Sequence, residues 1–152
     1  MKWDIVGSML IGEYTHVLDD KKRLSLPAKF RKELGKGAVL TRGLDHCLSI
    51  YSASSWKMIL EKMSGLSMGA VDSRGFNRFM LSGAAELEVD SAGRILIPEH
   101  LKQFAHLKSK VVFAGVGDRV EVWDDEKWTL YKKHIEHQGD KMAERLGEIG
   151  AL

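Results

Sequence analysis

The chain has 152 residues, 44% of them hydrophobic, and a formal net charge of only +2. That is enough apolar content to build one core, as one domain or as two intimately packed halves, and too little charge to point to nucleic acid by itself. The single cysteine, Cys47, excludes an internal disulfide and suits a reducing cytosol, and no run approaches the roughly 18–20 apolar residues of a membrane helix.

Met1 to Ser8 lacks the apolar centre of a signal peptide, and Met9-Leu10-Ile11-Gly12 reads as an alternative start, so residues 1–8 are expected to be an N-terminal extension. Tyr14 to Leu18 reads as a strand, followed by a turn at Asp19-Asp20-Lys21-Lys22-Arg23 and a second strand, Leu24 to Leu26. Pro27 ends that strand and can open a helix over Ala28 to Leu34, which Gly35-Lys36-Gly37 terminates. Strands follow at Val39 to Thr41 and Cys47 to Tyr51. The segment Lys57 to Ser82 reads as a helical connector interrupted by Gly65, Gly69 and Gly75, with Phe76, Phe79 and Met80 on a packed face.

The same order then recurs. Glu86 to Val89 alternates like a half-buried strand, Asp90-Ser91-Ala92-Gly93-Arg94 forms a turn, and Ile95 to Ile97 is a strand stopped by Pro98. A helix is expected over Glu99 to Phe104, then strands over 111–116 and 119–123. Asp124 or Asp125 can cap a last helix carrying Trp128 and Tyr131, with Gln138 to Leu152 a frayed helix or tail. Asp19, Arg23 and Pro27 stand 71 residues from Asp90, Arg94 and Pro98, and so does Gly12 from Gly83. After the motif the spacing grows to 72 and relates Val39 to Val111, Gly43 to Gly115, Tyr51 to Trp123 and Trp56 to Trp128. Two copies are too few for a solenoid, so the expectation is a pseudo-two-fold fold with repeats over 9–56 and 83–128, a connector over 57–82 and a C-terminal helix and tail over 129–152.

The shared signature is apolar-Asp-x-x-x-Arg-apolar-x-apolar-Pro. In the second copy, Gly93 suits the left-handed last position of a three-residue hairpin loop, which makes Asp90 and Arg94 cross-strand neighbours. In the first copy Lys22 takes that place. Either it adopts the left-handed backbone at a cost of roughly 1 kcal/mol, with its ammonium at the loop tip, or the turn is of another type. Each Asp–Arg pair could simply pin its hairpin as an exposed ion pair. Duplication in a basic setting favours a second reading, since from Asp19 to Lys36 seven basic residues stand against three acidic ones. An arginine fork grips phosphate or guanine bidentately, an aspartate can hold it in one orientation, and a two-stranded ribbon fits the major groove.

Enzymatic chemistry is thinly supported. Asp90-Ser91-Ala92-Gly93 has only a surface likeness to the Asp-Ser/Thr-Gly of aspartic proteases, and the first copy abandons it. Of the six histidines only His134 and His137 share a helical face by spacing, with no cysteine beside them for a metal site. Cys47, Trp56 and Trp128 read as core residues.

Gly12-Glu13-Tyr14, the two Asp-x-x-x-Arg segments, Leu40-Thr41-Arg42-Gly43-Leu44-Asp45 and Leu81-Ser82-Gly83-Ala84-Ala85-Glu86 together resemble the MraZ family of bacterial transcriptional regulators, from about Met9 to about Glu136. Lys22 departs from the family's usual glycine. The resemblance implies a mainly β, α+β fold with short helices, an AbrB-like swapped-hairpin β-barrel made from both halves. It further implies a ring-shaped homo-oligomer that binds tandem short repeats in double-stranded promoter DNA, generally repressing the division and cell-wall gene cluster. Arg23 and Arg94 would be DNA-binding, with Asp19 and Asp90 as orienting carboxylates; Lys21 and Lys22 join them by their loop-tip position. The expectation is a non-enzymatic cytoplasmic, nucleoid-associated regulator without cofactor, metal, membrane or small-molecule substrate, its first tip giving the stronger electrostatic grip. The alternative is an antitoxin-like barrel that binds a partner protein.

Overall fold

A computed structural model describes residues 9–152; the expected extension at 1–8 lies outside the described residues. The first half runs β1 (Leu10–Val17), β2 (Arg23–Ser25), α1 (Ala28–Leu34), β3 (Val39–Arg42), β4 (Leu48–Tyr51) and α2 (Ala53–Ser64). After α3 (Val71–Asn77), which continues into a wider turn over Arg78–Ser82, the second half repeats the order. It comprises β5 (Ala85–Glu86), β6 (Arg94–Leu96), α4 (Glu99–Phe104), β7 (Lys110–Gly117), β8 (Val120–Asp124) and α5 (Asp125–Glu148).

The halves exchange their first strands. β1 pairs antiparallel with β7, and β5 pairs with β3. The equivalent strands β4 and β8 meet each other, as do β2 and β6. All of this follows the pseudo-two-fold expectation, and the fold is the α+β, swapped-hairpin type implied by the resemblance. The barrel, however, is not closed. One six-stranded sheet has the order β1-β7-β8-β4-β3-β5, with β1 and β5 at its edges, and β2-β6 is a separate two-stranded ribbon. The cause lies in the turns. Asp19 N–H bonds to Arg23 carbonyl at 3.0 Å and Asp90 N–H to Arg94 carbonyl at 2.9 Å, so each chain folds back on itself just where it would have continued the sheet. For the same reason the expected strand over 86–89 shrinks to Ala85–Glu86, and Val89 bridges to Ile95 of its own hairpin.

Between sheet, ribbon and the short helices sits the main core. Leu24, Leu26, Phe30, Leu40, Leu48, Ile50, Ile95, Ile97, Leu101, Val111, Phe113, Val120 and Val122 are all buried in it. Each such side chain contributes roughly 1.5–3 kcal/mol by leaving water. Tyr14 meets Phe30 edge-on at 5.2 Å, which ties β1 to α1. Cys47 is fully buried, and that burial pushes its thiol pKa up. Trp56 packs against Tyr51, and Trp128 against Trp123, so each tryptophan seats the last helix of its half on the sheet. The connector is locked by Arg42, whose Nη1 donates to Phe79 carbonyl at 2.9 Å while its guanidinium lies over Phe79 and Phe104.

Asp124 is the residue that caps α5, its carboxylate accepting from Lys127 N–H at 3.4 Å. The helix continues to Glu148 through Gly139, where the composition suggests fraying. It presents Trp128 and Tyr131 to the sheet, and Lys132 reaches Glu13 of β1 at 3.0 Å. No described helix is long and apolar enough to cross a membrane.

The β1–β7 exchange needs a bare backbone at one point. Gly12 and Gly115 are cross-strand partners, and a Cβ at Gly115 would lie 2.5 Å from Leu10 carbonyl carbon and 2.6 Å from Ile11 nitrogen. Backbone cannot yield as a side-chain tip can. Gly115→Ala is therefore expected to cost about 1–3 kcal/mol, the usual range for overpacking. Gly75→Ala, inside α3 with open space around it, should instead gain about 0.5–1 kcal/mol. Urea-unfolding midpoints at unchanged slope check both.

Candidate nucleic-acid interface

The two hairpin tips are built alike. In the first, Asp19 Oδ1 accepts from Lys21 N–H at 2.9 Å and from Arg23 N–H at 2.8 Å, while Oδ2 accepts from Arg23 Nε at 2.8 Å. In the second, Asp90 Oδ1 accepts from Ala92 N–H and Arg94 N–H, each at 2.9 Å, and Oδ2 accepts from Arg94 Nε at 2.9 Å. A backbone bond from the residue before the arginine closes each loop, Lys22 N–H to Asp19 carbonyl and Gly93 N–H to Asp90 carbonyl, both at 3.0 Å. Both loops have the same geometry, and Lys22 does adopt the left-handed backbone, φ 61° against 80° at Gly93.

In each arginine only Nε is engaged. Among the described residues the Nη groups of Arg23 and Arg94 have no hydrogen-bond partner, and the side chains are 34% and 35% exposed. Each carboxyl is held below its ordinary pKa chiefly by the backbone N–H of its arginine. Partial desolvation opposes this, and the arginine side chain and the Lys21 or Ala92 N–H reinforce it.

Strand register then brings the two tips together. Arg23 pairs with Leu96, Leu24 with Ile95 and Ser25 with Arg94. Side chains alternate along a strand, so Leu24 and Ile95 point into the core and Arg23, Ser25, Arg94 and Leu96 share the outer face. Arg23 and Arg94 are diagonal neighbours, about 7–8 Å apart at the backbone. The ribbon is locked at both ends by matching bonds. Leu26 N–H donates to Gly93 carbonyl at 3.0 Å, and Ile97 N–H donates to Lys22 carbonyl at 2.9 Å. Each tip is thus braced by the strand that follows the other tip.

The lysines behave differently from one another. Lys21 lies exposed at the first tip. Lys22 is not a free loop-tip cation, because its Nζ lies 2.6 Å from Glu99 Oε1 at the start of α4. Sequence reasoning misses Glu99, and it misses Arg31, which lies over Gly93. A signal exists for both. Each helix begins directly after its proline, so pairing β2 with β6 must bring each helix to the other copy's tip.

Comparison with known proteins agrees with this architecture. The family model described as "MraZ protein", and suggested there to be antitoxin-like, matches twice, over residues 9–79 and 80–148. The protein named Transcriptional regulator MraZ of Caldanaerobacter subterraneus subsp. tengcongensis is 49% identical over 138 residues, covering 91% of this chain and 96% of the relative. Those of the same name from Alkaliphilus oremlandii and Caldicellulosiruptor saccharolyticus are 46% and 45% identical, each covering 93% of this chain and 99% of the relative. The chain belongs to the MraZ family.

Two outcomes follow from the tip geometry. Lys22→Ala keeps the left-handed strain and removes the ion pair, whereas Lys22→Gly removes both. The glycine variant should be the more stable by about 1–2 kcal/mol in denaturant unfolding. Because both aspartates have lowered pKa values, their contribution is fully present above the ordinary aspartate value of 3.8 and is lost as pH falls through the lower folded value. In an acid titration followed by NMR, the Arg23 and Arg94 amide signals should move with midpoints below 3.8; midpoints above it would contradict the carboxylate-closed turn.

Proposed function

We propose that this chain is a DNA-binding transcriptional regulator that presents both Asp-x-x-x-Arg tips to one duplex. The observation that carries the reading is the placement of Arg23 and Arg94 on the outer face of one ribbon, each fixed through Nε with its Nη groups unbonded among the described residues. A fork held in that way gives up little freedom on gripping a guanine edge or a phosphate bidentately. A two-stranded ribbon has the dimensions of the major groove. Two residues of strand separate the arginines along the ribbon, about 7 Å, which equals about two base steps. The names of the relatives support the regulatory role.

Several further features belong to this proposal. Asp19 and Asp90 orient the arginines, and Lys21 adds a phosphate contact. One ribbon reads only a short stretch, so affinity comes from joining many ribbons in a ring-shaped homo-oligomer on tandem promoter repeats, where effective concentration multiplies weak contacts. The outcome is repression of the division and cell-wall gene cluster, by a cytoplasmic, nucleoid-associated protein that performs no catalysis and needs no cofactor or metal. The antitoxin-like description of the family favours a second reading, a module that holds a partner protein. A pull-down that yields a stoichiometric protein partner, with no retardation of DNA from upstream of the chain's own reading frame, would favour it.

Arg23→Ala and Arg94→Ala should each weaken retardation of that upstream DNA by about 1–3 kcal/mol, the worth of one bidentate arginine on a base. The unfolding midpoint and the gel-filtration volume should stay those of the parent. Affinity of the parent should fall linearly with salt on logarithmic axes, by counterion release. Unchanged binding in both variants would sink the proposal.

A further inference from the structure

We propose that Arg31 is the phosphate-contacting cation of the second tip, delivered to it from the first half of the chain. This rests on the reading of the tips as DNA contacts and adds a residue that lies outside the Asp-x-x-x-Arg motif.

Gly93 is buried although its neighbours Ser91 and Ala92 are exposed. What covers it is the Arg31 guanidinium, since a Cβ at Gly93 would lie 2.7 Å from Arg31 Cζ and 3.3 Å from Nη2. Gly93 thus serves two purposes, the left-handed turn and the space for an arginine. The ribbon explains how Arg31 gets there. Leu26 N–H bonds to Gly93 carbonyl, Pro27 follows, and α1 starts at once, with Arg31 N–H bonded to Pro27 carbonyl at 2.9 Å. One turn of helix therefore carries the side chain over the tip.

Its charge is not neutralised there. Among the described residues Arg31 has no carboxylate partner, and its side chain borders a groove of about 440 Å³ beside the second hairpin. Among the described residues Arg31 and Lys36 are the only charged ones lining that groove; Leu26, Leu34, Leu87 and Val89 are among the rest. A half-buried guanidinium beside apolar walls, with no internal counter-charge, draws an anion. The anion that a duplex seated on Arg94 brings to this place is a backbone phosphate.

The first tip lacks this device. The residue 71 positions on from Arg31 is Lys102, and the groove it borders includes Glu99. Lys22 occupies the position of Gly93, and its ammonium is held by Glu99 at 2.6 Å. The ammonium at the position of Gly93 is thus paired with a carboxylate of this chain, whereas among the described residues the Arg31 guanidinium is not. The second tip therefore gains from Arg31 a cation that its own Ser91-Ala92-Gly93 loop lacks, whereas the first tip relies on its exposed Lys21.

The test uses the full chain, its Arg31→Gln and Arg31→Lys variants, and Arg94→Ala as reference. Fluorescence anisotropy over a salt series reads binding to a labelled duplex from upstream of the chain's own reading frame. Arg31→Gln is expected to bind about tenfold more weakly and to flatten the logarithmic salt slope by about 0.9 for each phosphate that it no longer neutralises. Arg31→Lys, which keeps the charge, should retain the parent's slope, and both should unfold at the parent's urea midpoint. If Arg31→Gln binds like the parent while Arg94→Ala does not, Arg31 is no phosphate ligand and the tip reading survives. If Gln and Lys weaken binding equally at the parent's slope, Arg31 only props the tip, and the proposal is overturned. If Arg94→Ala also binds like the parent, the DNA reading itself fails.

Discussion

In each hairpin an aspartate carboxylate divides its work between its two oxygens. Oδ1 accepts two backbone N–H groups and closes the turn; Oδ2 accepts Nε and sets the direction of the arginine. The nearest substitutes suit both tasks less well. Glutamate has one more rotatable bond to order, and asparagine would present an N–H where Nε must donate. A surface ion pair of this exposure contributes little to global stability, so its value lies in orientation. The closed turn and, among the described residues, Nη groups left without a partner both go with it.

The strand exchange gives this local device its long-range order. A tip alone would be a three-residue loop on a marginal hairpin. Here the carbonyl at its strained position is bonded by the strand behind the other tip, and its inner face is buried through Leu24 or Ile95. The relative placement of the two arginines is then a property of the main core, and disturbing either tip is felt at both.

Local chemistry was legible in the sequence, and the partners of that chemistry were not. Helices after Pro27 and Pro98, the strands around Val39 and Val111, the capping aspartate at the start of α5 and the burial of Cys47 all follow from proline, alternation and capping rules. A repeat, however, is equally compatible with two self-contained halves and with two interleaved ones. Which copy pairs with which is a question of non-local contacts, and nothing in a local window carries it. The family resemblance supplied the exchange and, with it, a closure that the short β5 does not achieve. Lys22 shows the limit most clearly. Its left-handed backbone could be anticipated from the copy that has glycine, but its charge is matched by Glu99, a residue of the other half.

Exchange between the halves also orders events in time. Leu10 finds its partner in Gly117 and Val17 in Lys110, so the first strand made waits for the seventh. At a synthesis rate of about 5–20 residues per second, that is a delay of several seconds on the ribosome, with a strand's backbone groups unpaired. The ribbon waits too, because β2 has no partner until β6 has emerged. A chain cut short before β6 therefore has neither a finished sheet nor a two-arginine face. Its orphan strands can be completed only by another chain, which makes premature termination a route to interchain tangles, and emergence of β6 the condition for the two-arginine face to exist at all.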